Sequence, residues 1–340
     1  MGPGESLMKV LVTGGGGFLG GGIVQALLDR GDEVRSLARG EYPELAKLGA
    51  ETVRGDIADA AAVASAVEGC DLVFHVAARV GAAGAYEDFH ATNVVGTQNV
   101  IDACRAHGVS NLVYTSTPSV VFGQGDLEGV DESTPYAEVY EAFYPQTKAE
   151  AEQLVLSSNG EGLRTVSIRP HIVWGPGDTS LLPRLLERAP RLRRITGPAK
   201  KTDVTFIDDA VRAHLLAAAG LASSPEKVSG KAYFVSTGEP IEIWTFINRV
   251  LEAAGRPGIT KTAPASVALA AGWVFEKIHA MTGASGEPRL SRWIVRELTH
   301  SHWFDISAAG RDIGYTPSVT IDEGMRRLTQ WVQDGGLAPS

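Results

Sequence analysis

Cysteine is almost absent. The 340-residue chain carries two, Cys70 and Cys104. That excludes a disulfide-stapled scaffold and suits a reducing compartment, so a cytoplasmic protein is expected. Basic charge is also short. Lys plus Arg number 31 against 40 Asp plus Glu, a net charge of −9, without the basic footprint that nucleic-acid binding needs. Long apolar runs are missing as well. The strongest candidate, Thr262–Phe275, is uncharged over 14 residues, short of the roughly 20 that a spanning helix requires. No transmembrane span is expected. The opening MGPGESLMKV has no apolar core behind basic charge and does not read as a secretory signal, and Met8 reads as the natural start. With 44% hydrophobic and 21% charged residues, the composition is that of an ordinary globular protein.

Glycine, by contrast, is plentiful, and it clusters. Lys9–Thr13 (KVLVT) is a short apolar run that reads as a buried strand. Gly14, Gly17 and Gly20 follow it as G-x-x-G-x-x-G, and Ile23, Leu27 and Leu28 then repeat at helical spacing up to Gly31. Strand, glycine turn and helix in that order are the context in which such a motif cradles a pyrophosphate: the turn needs glycine, and the helix N-terminus presents amide donors. Strand-like and helix-like segments alternate from here to Arg169. Further strands are expected at Glu33–Ala38, Glu51–Arg54, Asp71–Ala77, Asn111–Ser116 and Thr165–Arg169. That pattern predicts an α/β fold, a Rossmann-like doubly wound parallel sheet. Past Pro170 the alternation breaks. We expect a dinucleotide-binding domain over residues 8–175 and a smaller, mostly helical substrate lobe over 176–335, interleaved with the sheet. Gly283–Gly286 interrupts the helical pattern of that lobe.

The end of the second strand selects the nucleotide. A carboxylate there would bind ribose hydroxyls and repel a 2′-phosphate. This chain has Ala38 and then Arg39, and arginine pairs with phosphate and stacks on adenine. The expected cofactor is NADP(H), with NAD(H) as the alternative. Asp56 and Ile57, after the third strand, read as contacts to the adenine edge, with Asp56 equally readable as a turn residue.

Tyr144-Pro145-Gln146-Thr147-Lys148 is the second signal. Residues at i and i+4 share a helix face, and Pro145 suits a first helical position. A phenol is a poor acid or base near neutrality, and a nearby ammonium lowers its pKa. Tyr144 is then expected to exchange a proton with a carbonyl oxygen that gains hydride. A third hydroxyl is expected at the end of the fifth strand. Thr117 is the choice, with Ser116 second. Tyr140 is a decoy, because Tyr144 rather than lysine stands four residues on. His75, in an apolar strand, reads as a core histidine. His171 reads equally as core or substrate contact. His300 and His302 lack the ligand spacing of a metal site, and no metal is expected.

Together, Thr13–Gly20 (TGGGGFLG), His75–Ala78, Asn93–Thr97 and the Tyr-Pro-x-x-Lys segment resemble the extended short-chain dehydrogenase/reductase superfamily. Tyr114–Phe122 (YTSTPSVVF) and Arg169–Asp178 (RPHIVWGPGD) resemble its 3β-hydroxysteroid dehydrogenase branch. Gly81–Tyr86, Gly286–Leu290, His302–Phe304 and Arg311–Tyr315 carry a finer likeness to bacterial 2-alkyl-3-oxoalkanoate reductases of olefin biosynthesis. The resemblance implies NADPH-dependent reduction of a β-keto group. A 3β-hydroxysteroid or sterol-carboxylate dehydrogenase and a nucleotide-sugar epimerase are the alternatives. It also implies roles. Gly14, Gly17, Phe18 and Leu19 would line the pyrophosphate, Arg39 the adenosine phosphate, and Asp56 and Ile57 the adenine. Ala77 and Ala78 would back the ribose, Lys148 would bond the nicotinamide ribose, and Pro170 and Ile172 would lie by the nicotinamide. Tyr144 would be the proton donor and Thr117 would hold the substrate oxygen, where many relatives carry serine.

The helices at 93–107 and 144–158 carry Val94, Val100, Leu154 and Val155, and a homodimer through them is expected. Val267, Leu269, Trp273, Val274 and Ile278, with Trp293 and Ile294, form an apolar face. It reads either as lobe core, or as a wall for a lipid-like substrate or a surface for a membrane or pathway enzyme. An arginine from the run between Leu181 and Lys201 is expected to anchor the polar end of that substrate.

Overall fold

The computed structural model describes residues 7–123, 125–282 and 287–337. Its frame is a parallel sheet of β1 (Lys9–Thr13), β2 (Glu33–Ala38), β3 (Glu51–Arg54), β4 (Leu72–His75), β5 (Asn111–Thr115), β6 (Arg164–Pro170) and β7 (Lys231–Val235). The spatial order is β7-β6-β5-β4-β1-β2-β3. The chain runs outward from β1 to β3, then crosses back to place β4 on the other side of β1. That reversal opens a crevice at the carboxyl ends of β1 and β4, the place where α/β sheets bind ligands.

Both sheet faces are covered, as the continuous apolar strands imply. Along β1 the side chains alternate. Val10 and Val12 join a core with Ile23, Phe74, Val113 and Ile168, and Leu11 joins the opposite core with Leu37, Val73, Val100 and Val155. Local chemistry sets the helix ends. Gly31, at φ 96°, closes the Phe18–Arg30 helix, and the Asp59 carboxylate accepts from the Ala61 and Ala62 amides to start Ala60–Val67.

The sheet has seven strands where the alternation suggested six. After Gly175 the chain returns through the Ile207–Ser223 helix and pairs β7 in parallel register with β6. Without β7, β6 would present a bare edge. The interleaving runs both ways. Leu127–Val130, from the first half, pairs with His302–Phe304 in a small sheet of the lobe. Part of the lobe is built on a separate core of Ile195, Trp244, Leu251, Ile259, Ala268 and Val295, while its Ile207–Ser223 and Ile321–Gln333 helices pack into the main one through Val211, Ala217, Met325 and Leu328. The Gly283–Gly286 interruption lies outside the described residues.

Two helix starts differ from expectation. A π turn, Ala91–Val95, precedes the Gly96–His107 helix. The catalytic-motif helix begins at Phe143, so Pro145 is its third residue, where a missing N–H still costs no helix bond. The apolar surplus assigned to a dimer is also smaller than the sequence suggested. Val100 and Val155 are fully buried in the protein's own core. Among the described residues, no helix is long and apolar enough to cross a membrane.

Candidate active site

The glycine turn after β1 is built by exclusion. Gly14 has φ 73°, and a Cβ there would lie 2.8 Å from the Cα of Ala77. A Cβ on Gly20 would lie 2.1 Å from the Gly14 carbonyl. Gly14 therefore brings the loop against the end of β4, and Gly20 lets the helix begin at once. Behind the turn, the Thr13 hydroxyl accepts from the amides of Val76 and Ala77, each at 3.2 Å. His75 bridges Thr13 Oγ1 at 2.8 Å and Thr97 Oγ1 at 2.9 Å. Thr97 gives its own proton to the Asn93 carbonyl, so it accepts from His75 Nε2, and Thr13 donates to Nδ1. The ring is neutral. Burial pushes its pKa down to about 3, and the nearby Lys148 charge adds to the fall. His75 is a satisfied core histidine.

Asn93, in the π turn, ties the loop after β4 to the motif helix. Its side chain accepts from the Arg79 amide at 2.7 Å and donates to the Arg79 carbonyl and to Thr147 Oγ1, each at 3.0 Å. On that helix, Tyr144, Lys148 and Glu152 follow at four-residue spacing. Glu152 is fully buried and grips Arg169 of β6 in a bidentate pair, with Nη2–Oε2 at 2.7 Å and Nε–Oε1 at 3.0 Å. This clamp fixes the helix against the sheet one turn beyond Lys148.

Lys148 Nζ donates to the Thr115 carbonyl at 2.6 Å and lies 4.1 Å from the centre of the Tyr114 ring. Burial pushes its pKa down to about 7, against the pull of Glu152. Tyr144 differs from expectation. Burial pushes its pKa up to about 12, the Thr117 hydroxyl beside it pulls the value down, and the Glu297 charge pushes it up. In this geometry the phenol is protonated, and the Lys148 ammonium is spent on Thr115.

A single cavity of about 620 Å³ at the strand ends gathers the residues singled out from the sequence. Gly14, Gly17, Phe18 and Leu19 line its floor, Arg39, Asp56 and Ile57 one end, and Ala77 and Ala78 its wall. Thr117, Tyr144, Lys148, Pro170 and Ile172 line the other end, together with Ser116 and His171. A Cβ on Gly17 would meet only the Gly14 carbonyl, at 3.3 Å, so its outer side opens to the cavity. These residues fit a dinucleotide. Ile172 holds φ 41°, rare for a β-branched residue. Thr205 pins it, donating from its amide to the Ile172 carbonyl and from its hydroxyl to the His171 carbonyl. Tyr140 is structural, its hydroxyl donating to the Val120 carbonyl.

Glu297 lines the cavity without any signal in the sequence. Trp293, which the sequence places on the apolar face, also lines it, with its ring 6.3 Å from that of Tyr144. Ring nitrogens of His171 and His302 and a Glu297 oxygen lie within 4.8 Å of one another. They are poorly disposed to hold a metal. His302 spends Nε2 on the Glu297 carbonyl at 2.7 Å and Nδ1 on Thr202 at 3.1 Å, and His171 Nδ1 is held by Asp203 at 2.7 Å.

A second cavity, about 850 Å³, adjoins the first and shares Arg184 with it. Val267, Ala268, Ala271, Phe275 and Leu290 form its apolar wall. The arginines expected as an anchor are partly spoken for: Arg184 and Arg188 both bond Glu287, at 3.1 and 2.9 Å. On the Ala265–Thr282 helix, Trp273, Val274 and Ile278 stay exposed.

The 3-beta hydroxysteroid dehydrogenase/isomerase family matches residues 11–263. The chain belongs to that family. Among its relatives, the 2-alkyl-3-oxoalkanoate reductase of Stenotrophomonas maltophilia (strain K279a) is 46% identical, across 94% of this chain and 98% of the relative. The enzyme of the same name from Shewanella oneidensis is 43% identical, across 93% and 84%. A 3 beta-hydroxysteroid dehydrogenase/Delta 5-->4-isomerase of Mycobacterium tuberculosis is 36% identical, across 94% and 89%. In fold, the chain is similar to MoeE5 in complex with UDP-glucose and NAD, with TM-score 0.72, 24% identity and coverage of 96% and 99%. The protein is thus a nicotinamide-dinucleotide-dependent oxidoreductase of the extended short-chain dehydrogenase/reductase type.

Proposed function

We propose that this family member reduces the ketone of a 2-alkyl-3-oxoalkanoate to the 2-alkyl-3-hydroxy acid, with NADPH as reductant. The observation that carries the reading is the Tyr144 phenol, held protonated beside Thr117 in the cavity that the glycine turn enters. When bound, the dinucleotide supplies the hydride. Tyr144 donates its proton to the substrate oxygen, and the Thr117 hydroxyl orients that oxygen. Lys148 holds the nicotinamide ribose from its place on the Thr115 carbonyl, one helix turn beyond the phenol. Gly14, Gly17, Phe18 and Leu19 face the pyrophosphate, Ala77 and Ala78 the ribose, Asp56 and Ile57 the adenine, and Pro170 and Ile172 the nicotinamide. Arg39 supports NADPH over NADH. It is exposed at the end of β2, forms no salt bridge among the described residues, and has Ala38 rather than a carboxylate beside it.

Residues 8–175 act mainly as the cofactor domain and 176–335 as the substrate lobe. The second cavity supports a place for the alkyl chains, because Val267, Ala268, Ala271, Phe275 and Leu290 give it a hydrocarbon face beside its arginines and it shares Arg184 with the first cavity. Burying a methylene is worth roughly 0.8 kcal/mol, so each added CH₂ should raise kcat/KM about fourfold until the cavity is full. A series of 2-alkyl-3-oxo acids of rising chain length, run beside sterols and nucleotide sugars with both cofactors, tests this. A flat series, or faster turnover of a sugar nucleotide, would overturn the lipid reading. The 36% identity to a 3β-hydroxysteroid enzyme makes a cyclic alcohol the second substrate class. A homodimer through the segments 93–107 and 144–158 rests on exposed Val95 and half-buried Val94 and Leu154, and a monomer mass in light scattering would refute it. The exposed Trp273 and Ile278 face supports contact with a membrane surface or a pathway enzyme within the cytoplasm, in the setting of olefin biosynthesis.

A further inference from the structure

Glu297 ends the short Arg292–Glu297 helix. Four residues before it, Trp293 lies beside Tyr144, and the i, i+4 spacing turns Glu297 to the same face. Both side chains line the catalytic cavity. Glu297 Oε1 is buried and has no hydrogen-bond partner among the described residues. Native interiors rarely leave such an atom unpaired without a role for it.

The surroundings fix this carboxyl in place. The Glu297 carbonyl accepts from His302 Nε2 at 2.7 Å, which pins the helix end. His171 stands against it, held from behind by Asp203, whose other oxygen accepts from the Phe304 amide at 3.1 Å. Burial pushes the Glu297 carboxyl up to about 7, opposed by His171 and by a hydrogen bond from Trp293. The titratable groups facing it are His171 at the end of β6, His302 on the His302–Phe304 strand, and Tyr144 on the motif helix.

A ketone oxygen has two lone pairs, and the proposed mechanism gives them to Tyr144 and Thr117. Glu297 Oε1, buried and unpaired in the same cavity as Tyr144, is left for a second substrate oxygen near the first. A β-keto acid presents one, on its carboxylate. A cyclic 3-hydroxysteroid presents none at that end.

We propose that Glu297 is the subsite for the substrate's carboxylate, donating a hydrogen bond to it and so selecting 2-alkyl-3-oxo acids over ketones and alcohols that lack the acid. This inference rests on the function proposed above. Once Glu297 ionises, two carboxylates face each other, so affinity for the acid is lost as pH rises through about 7.

Because β-keto acids decarboxylate in water, the stable direction is the test: oxidation of a 2-alkyl-3-hydroxy acid with NADP+, beside its methyl ester. For the wild type, KM for the acid should rise on the order of tenfold per pH unit above about 7, while KM for the ester stays level. In Glu297→Gln, whose amide donates at every pH, KM for the acid should lose that rise. Circular dichroism and tryptophan quenching by NADP+ report whether the variant is folded. Identical pH profiles of KM for the acid in wild type and Glu297→Gln would overturn the subsite. If neither acid nor ester is oxidised, the reductase reading itself falls, and the subsite with it.

Discussion

Replacing Arg39 with alanine should separate the two cofactors. The guanidinium stands exposed at the end of β2 and lines the adenosine end of the cavity, with no salt bridge among the described residues to spend its charge. Hydrogen bonds to a charged group contribute about 1.5–3 kcal/mol, or roughly tenfold to a hundredfold in Kd. Solvent screening puts an exposed site at the lower end, so Arg39→Ala should weaken NADPH about tenfold and leave NADH nearly unchanged. Titration of the intrinsic tryptophan fluorescence with each cofactor measures both constants. The gap between them should narrow in about 1 M salt, where the Debye length falls to about 3 Å. Equal losses for NADPH and NADH would mean that Arg39 only stacks on adenine, and the selectivity argument would fail.

Tyr144→Phe removes only the phenol oxygen and should lower kcat by about 10²- to 10⁴-fold with NADPH binding intact; near wild-type turnover of the purified variant would refute the assignment. Lys148→Met should raise the Kd for cofactor and reduce the rate together. It also changes stability with pH. A lysine whose pKa falls to about 7 on folding keeps its proton longer in the unfolded chain, so the wild type gains stability as pH rises from about 7 to about 10. The methionine variant lacks that gain, and urea midpoints that move in parallel would contradict the burial of a titrating amine. Glu152→Ala strands the Arg169 guanidinium in the core and should cost about 3–5 kcal/mol in denaturant unfolding; a loss below about 1 kcal/mol would show that the clamp does not fix the motif helix.

What the sequence revealed, and what it hid, follows the range of the interactions. The turn at Gly14 is legible because its causes are local: a strand, a residue at positive φ and a helix start lie within a dozen residues. The Tyr144–Lys148 spacing is legible for the same reason, since one helix sets both positions. The Tyr144 pKa was not. Its expected fall assumed that the Lys148 charge would reach the phenol, but the amine bonds the Thr115 carbonyl and burial dominates. Arg169 looked like part of a motif and is the anchor of the catalytic helix, through a glutamate 17 residues earlier. The place of the seventh strand beside β6 depends on a crossover that no local pattern encodes.

Glu297 is the extreme case. It lies more than 150 residues from Tyr144 in sequence, on a six-residue helix with no motif of its own. Only the interleaving of the two halves brings it to the phenol. Leu127–Val130 carries the first half into the lobe sheet, and His302–Phe304, paired to it, sets the position of the helix just before it. Cofactor chemistry therefore sits in short-range patterns that a sequence displays. The far wall of the cavity sits in long-range packing, on side chains such as Glu297 and Trp293 that look unremarkable until the lobe meets the strand ends.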